Sequence, residues 1–470
     1  MSKFIRVLIL CLCCGNFLFA QSDITGKWYG VLNANQERVR LMINLQQTNT
    51  GITGILAFPD RATEAKRFDS ASYKNGILFL QIKENDIVYI ARFSPKKDSL
   101  SGRFLWGNID DNLVLTHRET KYEDLHPRPQ EPKTPYPYYK EEVSFRNDYD
   151  SVRLTGTFVR PAGAMGEEPV VVMIPGFGKL NRDNEVARHK MFLVMADYFA
   201  KHGIASLRYD TRGVGGSGGD ADSVDIHTVA RDAAAAVKYL RTRKDIDIHS
   251  LGLLGHGEGA TAAQIVAADN PAIAFVVSMA GMGVSGREML DQMMIGQGRA
   301  NNEPDNIILS RVQQMKPVFD AWALDTSYEA SKALATRALE NVYDSLPAKY
   351  KSVVNKEQFT HEVSVSPEML SILRYKPLSY LKRVKCPFMA INGNNDHNVD
   401  ADTNLKAMER ALTENGNMMV TIRKFAGLNY RFQPCKTCTE AEYAELDETI
   451  DPLVPEFITH WILQLPPVGR

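Results

Sequence analysis

At 470 residues, with 44% apolar and 24% charged side chains, the chain is longer than one ordinary hydrophobic core organises, so at least two domains are expected. Its 55 basic and 56 acidic residues nearly cancel, leaving a net charge of -1. That balance removes the electrostatic basis for a nucleic-acid partner or a strongly charged substrate.

Residues 1–20 read as an export signal. Lys3 and Arg6 precede an apolar run, Val7 to Cys14, that is too short to span a bilayer, and cleavage is expected after Ala20. A lipoprotein anchor fits less well, because Leu10, Leu12 and Cys13 stand where a small residue should precede Cys11, Cys13 and Cys14. No later stretch reaches transmembrane length, so the mature chain is expected in a periplasm or outside the cell, with no membrane span and an unspecified oligomeric state.

Residues 22–118 form a small antiparallel β domain on this reading. Val39, Leu41, Ile43 and Leu45 share one face, as do Ile87, Tyr89, Ala91 and Phe93, and that period of two marks half-buried strands. Turn signals at Asn49-Thr50-Gly51, Lys74-Asn75-Gly76 and Ser101-Gly102 separate them. Trp28, Tyr29, Phe79 and Trp106 are read as core in preference to a ligand groove. Residues 119–137, with prolines at 127, 129, 132, 135 and 137, read as a stiff linker.

From residue 138 to 470 the pattern changes. Apolar runs such as Val170 to Ile174 and Ala274 to Val277 alternate with helical stretches such as Thr228 to Arg243, which implies a mostly parallel sheet with helices on both faces. Within it, the apolar run Leu251 to Leu254 leads into Gly255-His256-Gly257-Glu258-Gly259, and Ala260 to Ala268 reads as a helix. Strand, tight glycine turn and helix together are the context of a nucleophile elbow. At its apex stands Gly257, which has no hydroxyl.

Several further segments carry a specific resemblance. Ile174-Pro175-Gly176-Phe177-Gly178 with Asn181-Arg182-Asp183, Arg208 to Gly215, Ala280 to Val284, Pro387 to Asp396 and Gly427 to Gln433 occur in that order. Residues from about 140 to 464 resemble the exported, serine-aminopeptidase-like (S33-type) esterases of the α/β-hydrolase superfamily. The resemblance implies the α/β-hydrolase fold, with a helical cap in the insertion at about 287–380. It puts the nucleophile position at Gly257, the acid at Asp396 and the histidine at Tyr430. The oxyanion loop falls on Gly176, Phe177 and Gly178, with a second donor at the Glu258 amide and a neighbouring histidine at His256.

Two of the three chemistries are therefore missing. Glycine offers no nucleophile, and a phenol with an ordinary pKa of about 10 is a poor base at neutral pH. The expected function is a non-catalytic or strongly impaired relative of carboxylic-ester hydrolases that keeps a site for a small ester, acyl or peptide-like ligand. Two alternatives stand beside it: an ester or short-amide hydrolase with a non-standard nucleophile, and a binding or structural protein led by the β domain. His256, His397, Ser217 and Ser278 are read as structural. Asp396 is read as a relic or a turn-stabilising carboxylate. In the insertion, Met289, Met293, Met294, Met315, Phe319 and Trp322 read either as core or as an apolar substrate wall.

No cofactor or metal site is expected. Cys386, Cys435 and Cys438 lack histidines at zinc-ligand spacing, and Cys435 and Cys438 are close enough in sequence for a disulfide.

Overall fold

The computed structural model describes residues 24–34, 37–61, 63–176, 178–353, 355–360 and 364–466. The expected signal segment, residues 1–20, and Phe177 lie outside the described residues. The chain divides into two compact units, at Pro127 and Arg128.

The first unit is a nine-stranded antiparallel sheet running from Gly26 to Thr116. Alternation decides what it buries: Val39, Leu41, Ile43 and Leu45 all face inward. Trp28 lies in that core with its Nε1 donating to the Ile24 carbonyl at 2.9 Å, while Tyr29, Phe79 and Trp106 are half-buried. A short helix, Tyr122–Leu125, closes the unit.

The second half of the proline-rich segment is held by hydrogen bonds. Arg128 donates to the carbonyls of Leu446 and Ala444, both at 2.9 Å, and Gln130 donates to the Ile450 carbonyl at 2.6 Å. All three partners are backbone groups more than three hundred residues away, which composition does not reveal.

In the second unit eight strands make one sheet: β1 (Tyr139–Asn147), β2 (Val152–Arg160), β3 (Val170–Ile174), β4 (Ala205–Tyr209), β5 (Leu251–His256), β6 (Val276–Met279), β7 (Phe388–Gly393) and β8 (Val420–Phe425). Their order is β1-β2-β4-β3-β5-β6-β7-β8. β2 runs antiparallel to both neighbours and the strands from β4 to β8 are parallel. The central strands are buried from end to end, as expected where helices cover both faces. This is the α/β-hydrolase fold. Among the helices, α1 (Met191–Lys201) packs against α9 (Leu453–Gln464), and α2 (Ile226–Leu240) against α3 (Glu258–Asp269). Between β6 and β7 lies the helical insertion, with α4 (Gly286–Ala300), α5 (Asp305–Ala323), α6 (Tyr328–Ser345) and α7 (Pro367–Arg374). α8 (Ala401–Thr413) joins β7 to β8. No helix among the described residues is long and apolar enough to cross a membrane.

Candidate functional site

The site grows from the end of β5. A Cβ on Gly255 would stand 2.1 Å from the Gly259 carbonyl oxygen, and one on Gly259 would stand 2.1 Å from that of Ile174. These two glycines therefore let α3 start hard against the sheet. Between them Gly257 takes φ +56° and ψ −117°, the strained turn of an elbow. Its N–H donates to the Met279 carbonyl at 2.9 Å, which fixes the turn to β6.

Tyr430 reaches the same point from the loop after β8. Asn429, fully buried, shapes that loop by accepting from the amides of Arg431 at 2.9 Å and Gln433 at 3.0 Å. Phe432 plugs into the core and accepts from the Asp451 amide at 2.8 Å. Tyr430 is thereby aimed at the elbow: a Cβ on Gly257 would lie 2.0 Å from the Tyr430 hydroxyl oxygen. The phenol occupies the space in which a nucleophile's side chain would begin. Burial, reinforced by the nearby charges of Glu258 and Asp396, raises the Tyr430 pKa well above its ordinary value, so the hydroxyl keeps its proton.

Asp396 follows β7 and is 7% exposed. Its Oδ1 accepts from the amides of Asn398 at 2.8 Å and Val399 at 2.9 Å, which holds the turn after β7. Its Oδ2 is buried and, among the described residues, has no hydrogen-bond partner. Burial pushes its pKa up to about 7 against the pull of those two amides. No hydrogen bond joins Asp396 to Tyr430 among the described residues, so the acid and the residue at the histidine position form no relay.

His256 is almost fully buried, with Nε2 2.9 Å from the Tyr430 carbonyl oxygen. Burial, with the charge of Arg431 adding to it, lowers its pKa to about 3, so the ring is neutral and donates to that carbonyl. His397 is half-buried and lies outside the cavity beside Gly257. Ser217 donates to the Asp210 carbonyl at 2.8 Å and accepts from the Thr155 amide at 3.0 Å, and Ser278 is buried inside β6.

The loop after β3 is tied down by charge. Arg182 donates to Asp210 from its amide at 2.8 Å, from Nε at 3.1 Å and from Nη2 at 2.8 Å, and it also pairs with Glu142. Arg208 pairs with Asp183. In one respect the oxyanion loop differs from expectation: the Gly178 amide already donates to Glu368 Oε1, at 3.1 Å, from α7 of the cap. Burial raises the Glu368 pKa, against the pull of that amide.

A cavity of about 430 Å³ opens beside the elbow, lined by Gly176, His256, Glu258 and Tyr430 on the sheet side and by Met289 and Met293 of α4. Both methionines line the cavity, yet Met289 also belongs to the buried core with Trp322, against which Met293, Met315 and Phe319 pack. Two further lining residues, Arg431 and Tyr443, were not foreseen as site residues. The signal for Arg431 was an arginine between Tyr430 and Phe432 in an otherwise uncharged run. Among the described residues, no group of three or more His, Cys, Asp or Glu side chains could hold a metal. Cys435 and Cys438 are bridged, and Cys386 is a free thiol whose pKa burial pushes up to about 12.

With this geometry in place, comparison with known proteins gives the family. The model of the X-Pro dipeptidyl-peptidase (S15) family matches residues 150–423, more than half of the chain. The chain belongs to the S15 family. The match spans the sheet from before β2 into β8, including the elbow and Asp396, and stops short of the loop that carries Tyr430. Among curated relatives, this S15-family chain is 34% identical over 157 residues to esterase EstD of Thermotoga maritima, covering 32% of this chain and 36% of that protein. It is 33% identical over 141 residues to thiohydrolase apmlB of Arthrinium phaeospermum, covering 30% and 42%. It thus spans about two-fifths of the length of the curated relatives it matches. Solved structures similar to it include the α/β hydrolase GrgF of Penicillium sp. sh18, at 18% identity and TM-score 0.39 over 62% of this chain and 91% of that one. Another is Est1E of Butyrivibrio proteoclasticus with ferulic acid bound, at 12% identity and TM-score 0.42 over 69% and 98%.

Proposed function

We propose that this S15-family chain, exported by its N-terminal signal, uses a hydrolase scaffold of the serine-aminopeptidase-like (S33-type) kind to bind a small acyl or peptide-like molecule without hydrolysing it. The observation that carries the reading is the 2.0 Å between the Tyr430 hydroxyl oxygen and the place of a Gly257 Cβ. Losing one triad member leaves only roughly 10³- to 10⁴-fold acceleration over water. Here the nucleophile's hydroxyl and the imidazole base are both absent, and a phenol fills the vacated volume.

The same oxygen is the natural candidate for a substitute nucleophile, and two features speak against that. Its pKa is raised rather than lowered, and no base hydrogen-bonds to it among the described residues. Neutral His256 is committed to the Tyr430 carbonyl.

The test is a fluorophosphonate probe and p-nitrophenyl butyrate applied to the unmodified chain, Gly257→Ser, and Gly257→Ser/Tyr430→His. The unmodified chain is expected to stay unlabelled. The single variant also stays silent, since its new side chain meets the phenol. The double variant gains labelling and ester turnover. Labelling of the unmodified chain would overturn the reading.

A further inference from the structure

We infer that the cavity beside Gly257 is built for a monocarboxylate with an apolar tail, its head held by Arg431 and flanked by the phenols of Tyr430 and Tyr443. This deepens the non-hydrolysing reading of the same site, because the acid is what an ester hydrolase releases rather than what it cleaves.

Three arginines are buried among the described residues: Arg208, Arg212 and Arg431. Arg208 pairs with Asp183, and Arg212 pairs with both Asp150 and Asp232. Arg431, 4% exposed, has no carboxylate within ion-pair distance among the described residues and donates one hydrogen bond, from Nη2 to the Asn184 carbonyl at 2.7 Å. A guanidinium carries five donors in a planar fork that matches a carboxylate, and a buried cation without a counter-ion is costly. Arg431 lines the cavity, so the missing anion has a place to bind.

Three of the neighbours carry no negative charge. Burial raises the pKa values of Tyr430 and Tyr443, so both phenols remain protonated, and His256 is uncharged. Burial lowers the Arg431 pKa only to about 10, so its charge persists at neutral pH. Glu258 and Glu440 line the same cavity. Their charges oppose a second negative charge on the ligand, which favours a carboxylate over a phosphate dianion. Met289, Leu290 and Met293 line the same cavity and offer the tail an apolar wall.

The chemistry fits a free fatty acid or the C-terminus of a short apolar peptide, and the probes separate them. Calorimetric titration of the full mature chain at pH 7.5 would use octanoate against octanamide, and acetyl-Leu-Leu acid against its amide. At least one acid should bind, roughly 10- to 100-fold tighter than its neutral isostere. Arg431→Met should abolish that preference, and Arg431→Lys, which keeps the charge without the fork, should retain part of it. Equal affinity for acid and amide, binding of neither acid, or an unchanged preference in Arg431→Met would each overturn the inference. The isostere comparison needs no variant to fold. Running p-nitrophenyl octanoate hydrolysis on the same sample separates the two readings: turnover with an Arg431-dependent acid preference removes only the non-hydrolysing reading. Silence without that preference removes only this inference.

Discussion

The two sides of the cavity are built on opposite rules. On the side of the loop after β3, charges are answered in pairs, Arg182 by Asp210 and Glu142 and Arg208 by Asp183. At the elbow they are not: among the described residues Asp396 Oδ2 has no partner and Arg431 no counter-ion, and a phenol stands where a Gly257 side chain would begin. The paired side holds a shape. The unpaired side keeps groups that are unfavourable in the empty protein, and such groups gather where something binds. On the reading proposed above, maintaining the pocket and performing hydrolysis are separate tasks in this fold.

Removing Asp210 should break the contrast most severely. It accepts five hydrogen bonds, three of them from Arg182, one from the Gly216 amide and one from Thr155 Oγ1. Asp210→Ala leaves Arg182 facing a partly buried void and should cost about 3–5 kcal/mol, read as a lowered urea midpoint. If instead Asp396→Ala proves the more damaging, the division between a structural side and a binding side is wrong.

Asp396 sharpens the contrast through pH. Its folded value, about 7, lies above the usual 3.8. Folding therefore keeps a proton that the unfolded chain gives up. The group's contribution is most favourable below pH 4, declines as pH rises to 7, and is flat beyond. Asp396→Asn is neutral throughout, so relative to the unmodified chain it should gain on the order of 2–4 kcal/mol at pH 8, shrinking to near zero by pH 4. His256 acts with the opposite sign, its value lowered from 6.5 to about 3, so its contribution is full above pH 6.5 and is lost as pH falls. Both chains share His256, so the difference in their melting curves isolates Asp396. A difference independent of pH would show a carboxylate that ionises freely.

What sequence reading reached and missed follows the range of each interaction. The elbow was legible because strand, glycine turn and helix are contiguous between Leu251 and Asp269. Strand periodicity likewise placed the inward faces of the first unit. The contact of Glu368 with Gly178 joins residues 190 positions apart, and no local pattern announces it. The motif drew attention to Tyr430, but that its hydroxyl fills the volume above Gly257 depends on the loop shape that Asn429 and Phe432 impose together. Arg431 was passed over because an arginine is ordinarily solvated. Only its burial without a carboxylate makes it informative.

The smallest expected effect belongs to the disulfide between Cys435 and Cys438, on the segment that leads to Tyr443. Only three positions separate the cysteines, so the bond closes a short loop and removes little freedom from the unfolded chain. The same turn is also held by Glu442, which accepts from the amides of Lys436, Thr437 and Cys438 and from the Thr437 hydroxyl. Reduction should therefore leave the turn folded, with a loss under about 2 kcal/mol in a melt with and without reductant. Glu442→Gln, which withdraws the charge that these donors share, should make the reduced form more sensitive than the oxidised one. A large loss on reduction of the unmodified chain would mean that the covalent bond, and not the carboxylate, sets this rim of the cavity. The unpaired side of the pocket would then owe its shape to redox state as much as to packing.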